Sequence, residues 1–329
     1  MQIPTSRGPF SAKLFSLLSG PQDDRGWDEL VTTTPSGPDD AQIALWAMYE
    51  LAYRGFDGVP DELEWHAPLL AARRVLERDL EARLRARYSP PAELPDLGGG
   101  EAATGAFAGA FFAYVAGYEG DSLSGAIQRT ATREQVLTLL RVRSVYHLKE
   151  ADPTAWVVPR LGARPKAGLM AVQYDEYGCG DPNALHSNLF ARGLRACGLD
   201  TAYGAYVDEA SAAVLEQNNT MTMFGLHRRL RGAAVGHFAA FEATSSVPSR
   251  RIAQGLARLG MPAELIAYYD EHVEADAVHD QVAVREICGS LLADEPQLLD
   301  DVFFGAFTCL DLESRFASER LASWVEVAA

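Results

Sequence analysis

The stretch Glu271-His272-Val273-Glu274-Ala275-Asp276-Ala277-Val278-His279-Asp280 sets the fold class. Wound as an α-helix at about 100° per residue, it puts His272, Asp276 and His279 at roughly 0°, 40° and −20°. These three share one narrow stripe, and Glu274 points the other way. Imidazole and carboxylate are donors that iron, manganese and zinc accept in common. A solvated face on an acidic helix has the same look, and Glu271, Glu274 and Asp280 make the neighbourhood polar. Both readings stand on these residues alone.

Helical periodicity continues on both sides of the stretch. Pro262 suits the first turn of the same helix, which the pattern extends past Val282, and Pro296 opens the last long one. Upstream, Asp208 to Ala243 predicts two helices with a break near Gly225. Ala163 to Glu176 predicts another, ended by Gly178, Gly180 and Pro182, with a new start near Ala184. Thr132 to Glu150 is amphipathic, and Glu101 to Tyr118 is a small-residue apolar run that predicts a buried helix. Asp39-Asp40 can cap a helix through Ile43, Trp46, Ala47 and Glu50 that stops near Gly55, and Pro60 opens a stretch to about Arg87. Between them and the rest, Ser89-Pro90-Pro91 and Gly98-Gly99-Gly100 form a linker.

Strand signals are nearly absent and no internal repeat is found. The expectation is an all-α bundle, with an N-terminal helical appendage over residues 1–97 and a core over 98–329. Trp46, Tyr49 and Tyr53 share a face of the appendage, which suits either a homodimer interface or packing inside the chain.

The bulk numbers limit the function. The chain has 329 residues, 48% of them hydrophobic, enough for a sizeable core. Its net charge of −16 repels phosphate backbones, so no nucleic-acid partner is expected. Cys179, Cys197, Cys288 and Cys309 form no C-x-x-C pair, which fits a reduced, cytoplasmic chain. Met1 to Gly20 is too polar for a secretory signal, and no apolar run approaches the roughly 18 residues of a membrane span.

Further carboxylates and histidines call for partners. Glu242 ends the small-residue run Gly236-His237-Phe238-Ala239-Ala240-Phe241, where a charge needs either an ion pair or a cation. Glu176 stands just before the glycine break, and His186 follows ten residues on; capping would explain both as well as ligation would. The paired Glu-x-x-His motifs of ferritin-like diiron bundles are missing, as is the His-Glu-x-x-His zinc motif.

At these residues the sequence resembles the haem-oxygenase-like diiron oxidases and oxygenases. Asp175-Glu176-Tyr177-Gly178-Cys179-Gly180 leading to His186, then Glu242-Ala243-Thr244-Ser245, then His272-x-x-x-Asp276-x-x-His279 look like that family's later ligand segments. Glu150, in His147-Leu148-Lys149-Glu150-Ala151-Asp152-Pro153, matches its first. The resemblance implies a haem-oxygenase-like helical bundle. It also implies two irons cycling between Fe2+ and Fe3+, held by Glu150, Glu176, His186, Glu242, His272, Asp276 and His279. O2 would be the co-substrate and a small molecule the substrate. With no flavin or nicotinamide fingerprint present, reducing equivalents are expected from an external electron donor.

The extra carboxylate Glu176 leans toward the amine N-oxygenating branch of the family. Oxidative C–C cleavage of an amino or fatty acid by the same site is the alternative, and a metal-free helical binding protein is one of another class. Tyr174, Asp175, His237 and Asp280 are candidates for orienting the imidazoles. Arg250 and Arg251 are either a carboxylate clamp or solvated helix-end charges, and His66 and Cys179 are read as packing residues.

Overall fold

The computed structural model describes residues 1–20, 24–97 and 101–326, with the side chains of 24, 101–103, 274–278 and 326 left out. Among these residues there is no strand. The helices, in chain order, are α1 Pro9–Ser19, α2 Asp24–Thr32, α3 Pro38–Glu50, α4 Ala67–Arg87, α5 Glu101–Ala116, α6 Leu123–Arg129, α7 Arg133–His147, α8 Asp152–Ala155, α9 Ala163–Glu176 and α10 His186–Ala196. They continue as α11 Ala212–Leu226, α12 Arg231–Arg258, α13 Ala263–Gln281, α14 Ser290–Asp294 and α15 Leu299–Glu326. Val282–Gly289, between α13 and α14, is π-helical. No described helix is long and apolar enough to cross a membrane.

The chain divides into two compact units. Met1–Arg87 and Ala202–Met223 make one; Tyr88–Thr201 and Phe224–Ala329 make the other. In the first unit, Asp40 does not cap its own helix as the sequence suggests. Gly37 and Pro38 start α3, and the Asp40 carboxylate accepts the N–H groups of Phe10 and Ser11 at the start of α1, and that of Ser36. Those donors would otherwise be unmet, because the first turn of a helix has no partner for its amides. They hold the Asp40 carboxyl below its usual value against the opposing effect of burial. Residues 202–223 are stitched to the N-terminal helices by polar contacts: Tyr203 donates to Glu50 at 2.8 Å, and the Asn219 amide donates to Gln42. Trp46 and Tyr49 are buried. Intramolecular packing accounts for them, so the homodimer expectation loses two of the residues it drew on. His66 lies against Trp27 with ring centroids 4.8 Å apart, a packing role.

The second unit is organised by α12, which packs against α6, α13, α15 and the π-helical segment. Its small residues allow a close crossing with α15. A Cβ at Gly236 would strike the carbonyl of Val302, and one at Gly305 would strike that of Ala233. Backbone-to-backbone approach of this kind leaves Glu242, further along α12, deep in the unit. Helix α7 opens with a capping box, Thr132 and Gln135 bonding each other's backbone, and α10 packs on both α7 and α13.

Candidate metal centre

Four helices and the end of a fifth deliver the side chains. Glu150 follows the C-terminal turn of α7, Glu176 ends α9, and His186 opens α10. Glu242 lies mid-α12, and His272 and His279 lie on α13. Glu176 and His186 meet because the chain between them reverses through three left-handed residues, Gly178 (φ 69°), Cys179 (φ 53°) and Gly180 (φ 87°). A Cβ at Gly178 would collide with the backbone of Ala184 and Leu185, so glycine is required there both for its φ and for its size.

The six side chains form two buried groups. Glu150, His186 and His272 offer ligand atoms within 4.8 Å of one another, and so do Glu176, Glu242 and His279. The groups adjoin: His186 Nδ1 lies 3.0 Å from Glu176 Oε2, and the His186 and His272 rings are 4.7 Å apart. His279 Nδ1 lies 3.5 Å from Glu242 and 3.9 Å from Glu176. Asp276 lies outside the described residues.

Neighbours fix the imidazoles. His272 Nδ1 is 2.7 Å from the carbonyl oxygen of Tyr268, which accepts its proton and turns Nε2 toward Glu150, 3.5 Å away. His279 Nε2 is 3.1 Å from Asp175 Oδ2, which leaves Nδ1 facing Glu176 and Glu242. A second partner that sets the tautomer is a recurring feature of metal-binding histidines.

The electrostatics match a cation site. Three carboxylates are buried together, and their neighbours respond. Burial acts to raise the Glu150 carboxyl, but His272 and His147 outweigh it and hold it well below the usual value. Burial acts to lower His186, and hydrogen bonding to Glu176 raises it instead. The same contest, won by Glu242 and Asp175, lifts His279 to about 9. His186 and His279 are thus shifted toward their protonated forms by the carboxylates beside them. Divalent cations would replace those protons, and this oxygen-and-imidazole donor set suits iron.

Of the four orienting candidates, only Asp175 touches an imidazole. Tyr174 donates to the Cys179 carbonyl and shapes the turn. His237 stands edge-on to Phe224, and burial lowers its pKa to about 4, so it is a neutral core residue. Among the described residues, Asp280 makes no hydrogen bond to the six. Cys179 is not packed as expected; it is exposed on the turn, and its thiol donates to Asp175.

Sequence reasoning missed Tyr268 and His147. The Tyr268 hydroxyl lies 3.0 Å from each oxygen of Glu150 and 2.7 Å from His147 Nδ1. Burial, with Glu150 beside it, pushes this hydroxyl far above its usual pKa, so it remains a donor. The spacing puts His147 one turn before Glu150 and Tyr268 one turn before His272, but it carries no signal that the two pairs meet.

A cavity of about 280 Å³ opens beside the first group and is lined by Glu150, His147, His272 and Tyr268. Farther along its wall are Arg143 and Glu313. Arg250 and Arg251 are exposed and do not line it, so the solvated reading holds for them.

A family model described as iron-containing redox enzyme matches residues 137–314, a span that includes all six side chains. No curated protein matches the chain. Among solved structures, the chain is similar to a CADD-like protein of unknown function from Nostoc punctiforme. The two share 16% identity at a TM-score of 0.52, over 69% of this chain and 97% of that one. A likeness at that identity bears on the fold, which is the helical bundle expected.

Proposed function

Because the chain belongs to the family of iron-containing redox enzymes, we propose that it is a non-haem diiron oxygenase that N-oxygenates an amine of a small molecule. The observation that carries this is the pair of adjoining buried groups. Glu150, His186 and His272 would hold one iron, and Glu176, Glu242 and His279 the other. Asp276 completes the proposed set through the stripe it shares in sequence with His272 and His279. Bound there, a pair of irons supplies electrons to O2 and oxidising power to the substrate.

The chain's own residues do the rest. Glu176, whose carboxylate reaches within 3.0 Å of His186 in the other group, would stand at the junction of the two groups. Tyr268 holds Glu150 by both oxygens, the Tyr268 carbonyl and Asp175 hold two imidazoles in register, and burial of all six keeps bulk water away. Conversion of an amine to a hydroxylamine consumes O2, two electrons and two protons, and releases water. The electrons come from an external donor, because no flavin or nicotinamide fingerprint occurs in the sequence.

The test is anaerobic loading with Fe(II), metal analysis, and exposure to O2 with reductant and a panel of amines. A product carrying one added oxygen on nitrogen is expected. O2 consumption with no N-oxidised product would reject the amine chemistry, and release of CO2 from an amino or fatty acid would replace it with C–C cleavage. A protein that takes up no iron and is indifferent to His272→Ala would be a metal-free binding protein.

A further inference from the structure

We propose that Gln173 positions Glu176 at the metal centre: its side-chain amide is the donor that takes up the Glu176 carboxylate once a cation occupies the second group, Glu176, Glu242 and His279. This deepens the function proposed above and rests on that group binding a metal.

Helix α9 buries Leu169, Val172, Gln173 and Glu176. Leu169 and Val172 are ordinary core residues, and Glu176 has imidazoles beside it. Gln173 has no such explanation. It is 1% exposed, and neither Nε2 nor Oε1 has a hydrogen-bond partner. Among the described residues it is the one buried side chain with both polar ends unmet. An amide in that condition costs stability, whereas an apolar side chain of the same shape would not. A partner gained in another state of the site accounts for a glutamine here.

The packing of α9 points to that partner. Glu176 Oε1 lies 3.9 Å from His279 Nδ1 on α13, and earlier on α9 a Cβ at Gly168 would meet Ile287 Cγ1 of the π-helical segment at 3.1 Å. The two elements therefore run antiparallel. Gln173 falls between these contacts, level with the start of the π-helical segment at Val282. Turns of that kind recur at functional sites. Gln173 also precedes Glu176 by one turn of the same helix, the spacing at which side chains meet.

Cation binding changes what Glu176 needs. Its Oε2 lies 3.0 Å from His186 Nδ1, and its Oε1 faces His279 Nδ1. An imidazole nitrogen that ligates a cation no longer donates a hydrogen bond. Glu176 then binds the cation through one oxygen and needs a new donor for the other, and ligating carboxylates are regularly hydrogen-bonded in this way. Gln173 Nε2 is a buried, uncommitted donor one turn away. Without it, the Glu176 carboxylate can rotate about its last bond, and the second group loses a fixed ligand.

Zinc(II) binding followed by calorimetry, paired with metal-free thermal melts of the whole chain, tests this. His279→Ala marks which binding step belongs to the second group. Gln173→Met, which keeps the unbranched shape, and Gln173→Leu both remove the amide; Gln173→Met decides if the branched variant does not fold. Each is expected to weaken the second step about tenfold or more, the usual effect of taking a partner from a ligating side chain. The metal-free melting temperature should stay level or rise by about 2–4 °C, because two unmet polar ends are gone. A residue that only packs would move both readouts downward together. An unchanged second step in Gln173→Met, which would leave the amide with a buried water as its only partner, overturns the inference. So does a joint fall of affinity and melting temperature in both variants. If wild type and variants bind zinc alike, the metal centre stands and Gln173 has no part in it. If wild type binds no cation at the second group, both fall.

Discussion

Replacing Asp175 by alanine is expected to loosen one metal and spare the other. Asp175 Oδ2 takes the His279 Nε2 proton at 3.1 Å and so holds Nδ1 toward Glu176 and Glu242. Loss of such a partner typically costs about 10- to 100-fold in metal affinity. The Asp175 side chain is 51% exposed, so water screens the contact and can replace part of it. That places the effect at the lower end, about tenfold or ~1.4 kcal/mol. The first group has no such dependence, because His272 is oriented by the Tyr268 backbone carbonyl. Asp175→Asn, which keeps an acceptor oxygen and loses the charge, should fall between wild type and alanine. Anaerobic Fe(II) titration against a chelating dye resolves the two affinities. The reasoning is refuted if alanine shifts neither binding step, or shifts both equally.

Metal uptake should depend on pH in a defined direction. Burial would lower the His279 pKa, but Glu242 and Asp175 raise it to about 9, from an ordinary value of 6.5. The stabilisation from this raised group is fully present below pH 6.5 and is lost as pH rises through about 9 in the metal-free protein. A cation competes for the same nitrogen, so its apparent affinity should climb across that window and level off above it; a flat zinc-binding profile there would contradict the assignment. Gly178→Ala forces a Cβ into the Ala184–Leu185 backbone at a positive φ, and should separate His186 from Glu176, seen as lost metal stoichiometry in a chain that keeps its helical circular dichroism. Gly236→Ala drives α12 away from α15 and should destabilise the second unit by about 1–3 kcal/mol in thermal melts. Asp40→Ala removes the acceptor for the amides of Phe10, Ser11 and Ser36, and should cost roughly 1–2 kcal/mol in the first unit.

Local signals made much of this architecture legible. The glycine and proline cluster after Glu176 ends α9 where the sequence suggests, and the stripe of His272 and His279 is a single-helix property, so it could be read without knowing what the helix packs against. The small-residue run around Gly236 marked Glu242 as a charge in need of a partner, and Glu242 is indeed buried. What stayed hidden depends on distant pairing. Tyr268 meets Glu150 across 118 positions and His147 across 121, and no periodicity encodes such contacts. Asp40 looked like a cap for its own helix because it has the right residue type in the right place. Its carboxylate instead serves a helix start thirty residues earlier. The π-helical turn after His279 also had no local marker, since it inserts extra residues per turn without changing composition.

Residues 202–223 lie in the chain between His186 and Glu242, yet they belong to the compact unit begun by the first helices. The order of synthesis therefore matters. A nascent chain that has emerged only through Thr201 carries Glu150, Glu176 and His186 while the opening helices still await the polar residues, Tyr203 and Asn219 among them, that Glu50 and Gln42 will engage. Deleting the first 87 residues would not yield a tidy iron-binding fragment. It would leave those side chains stranded in mid-sequence, and a minimal version of the centre would need that excursion replaced by a polar linker joining residue 201 to residue 224.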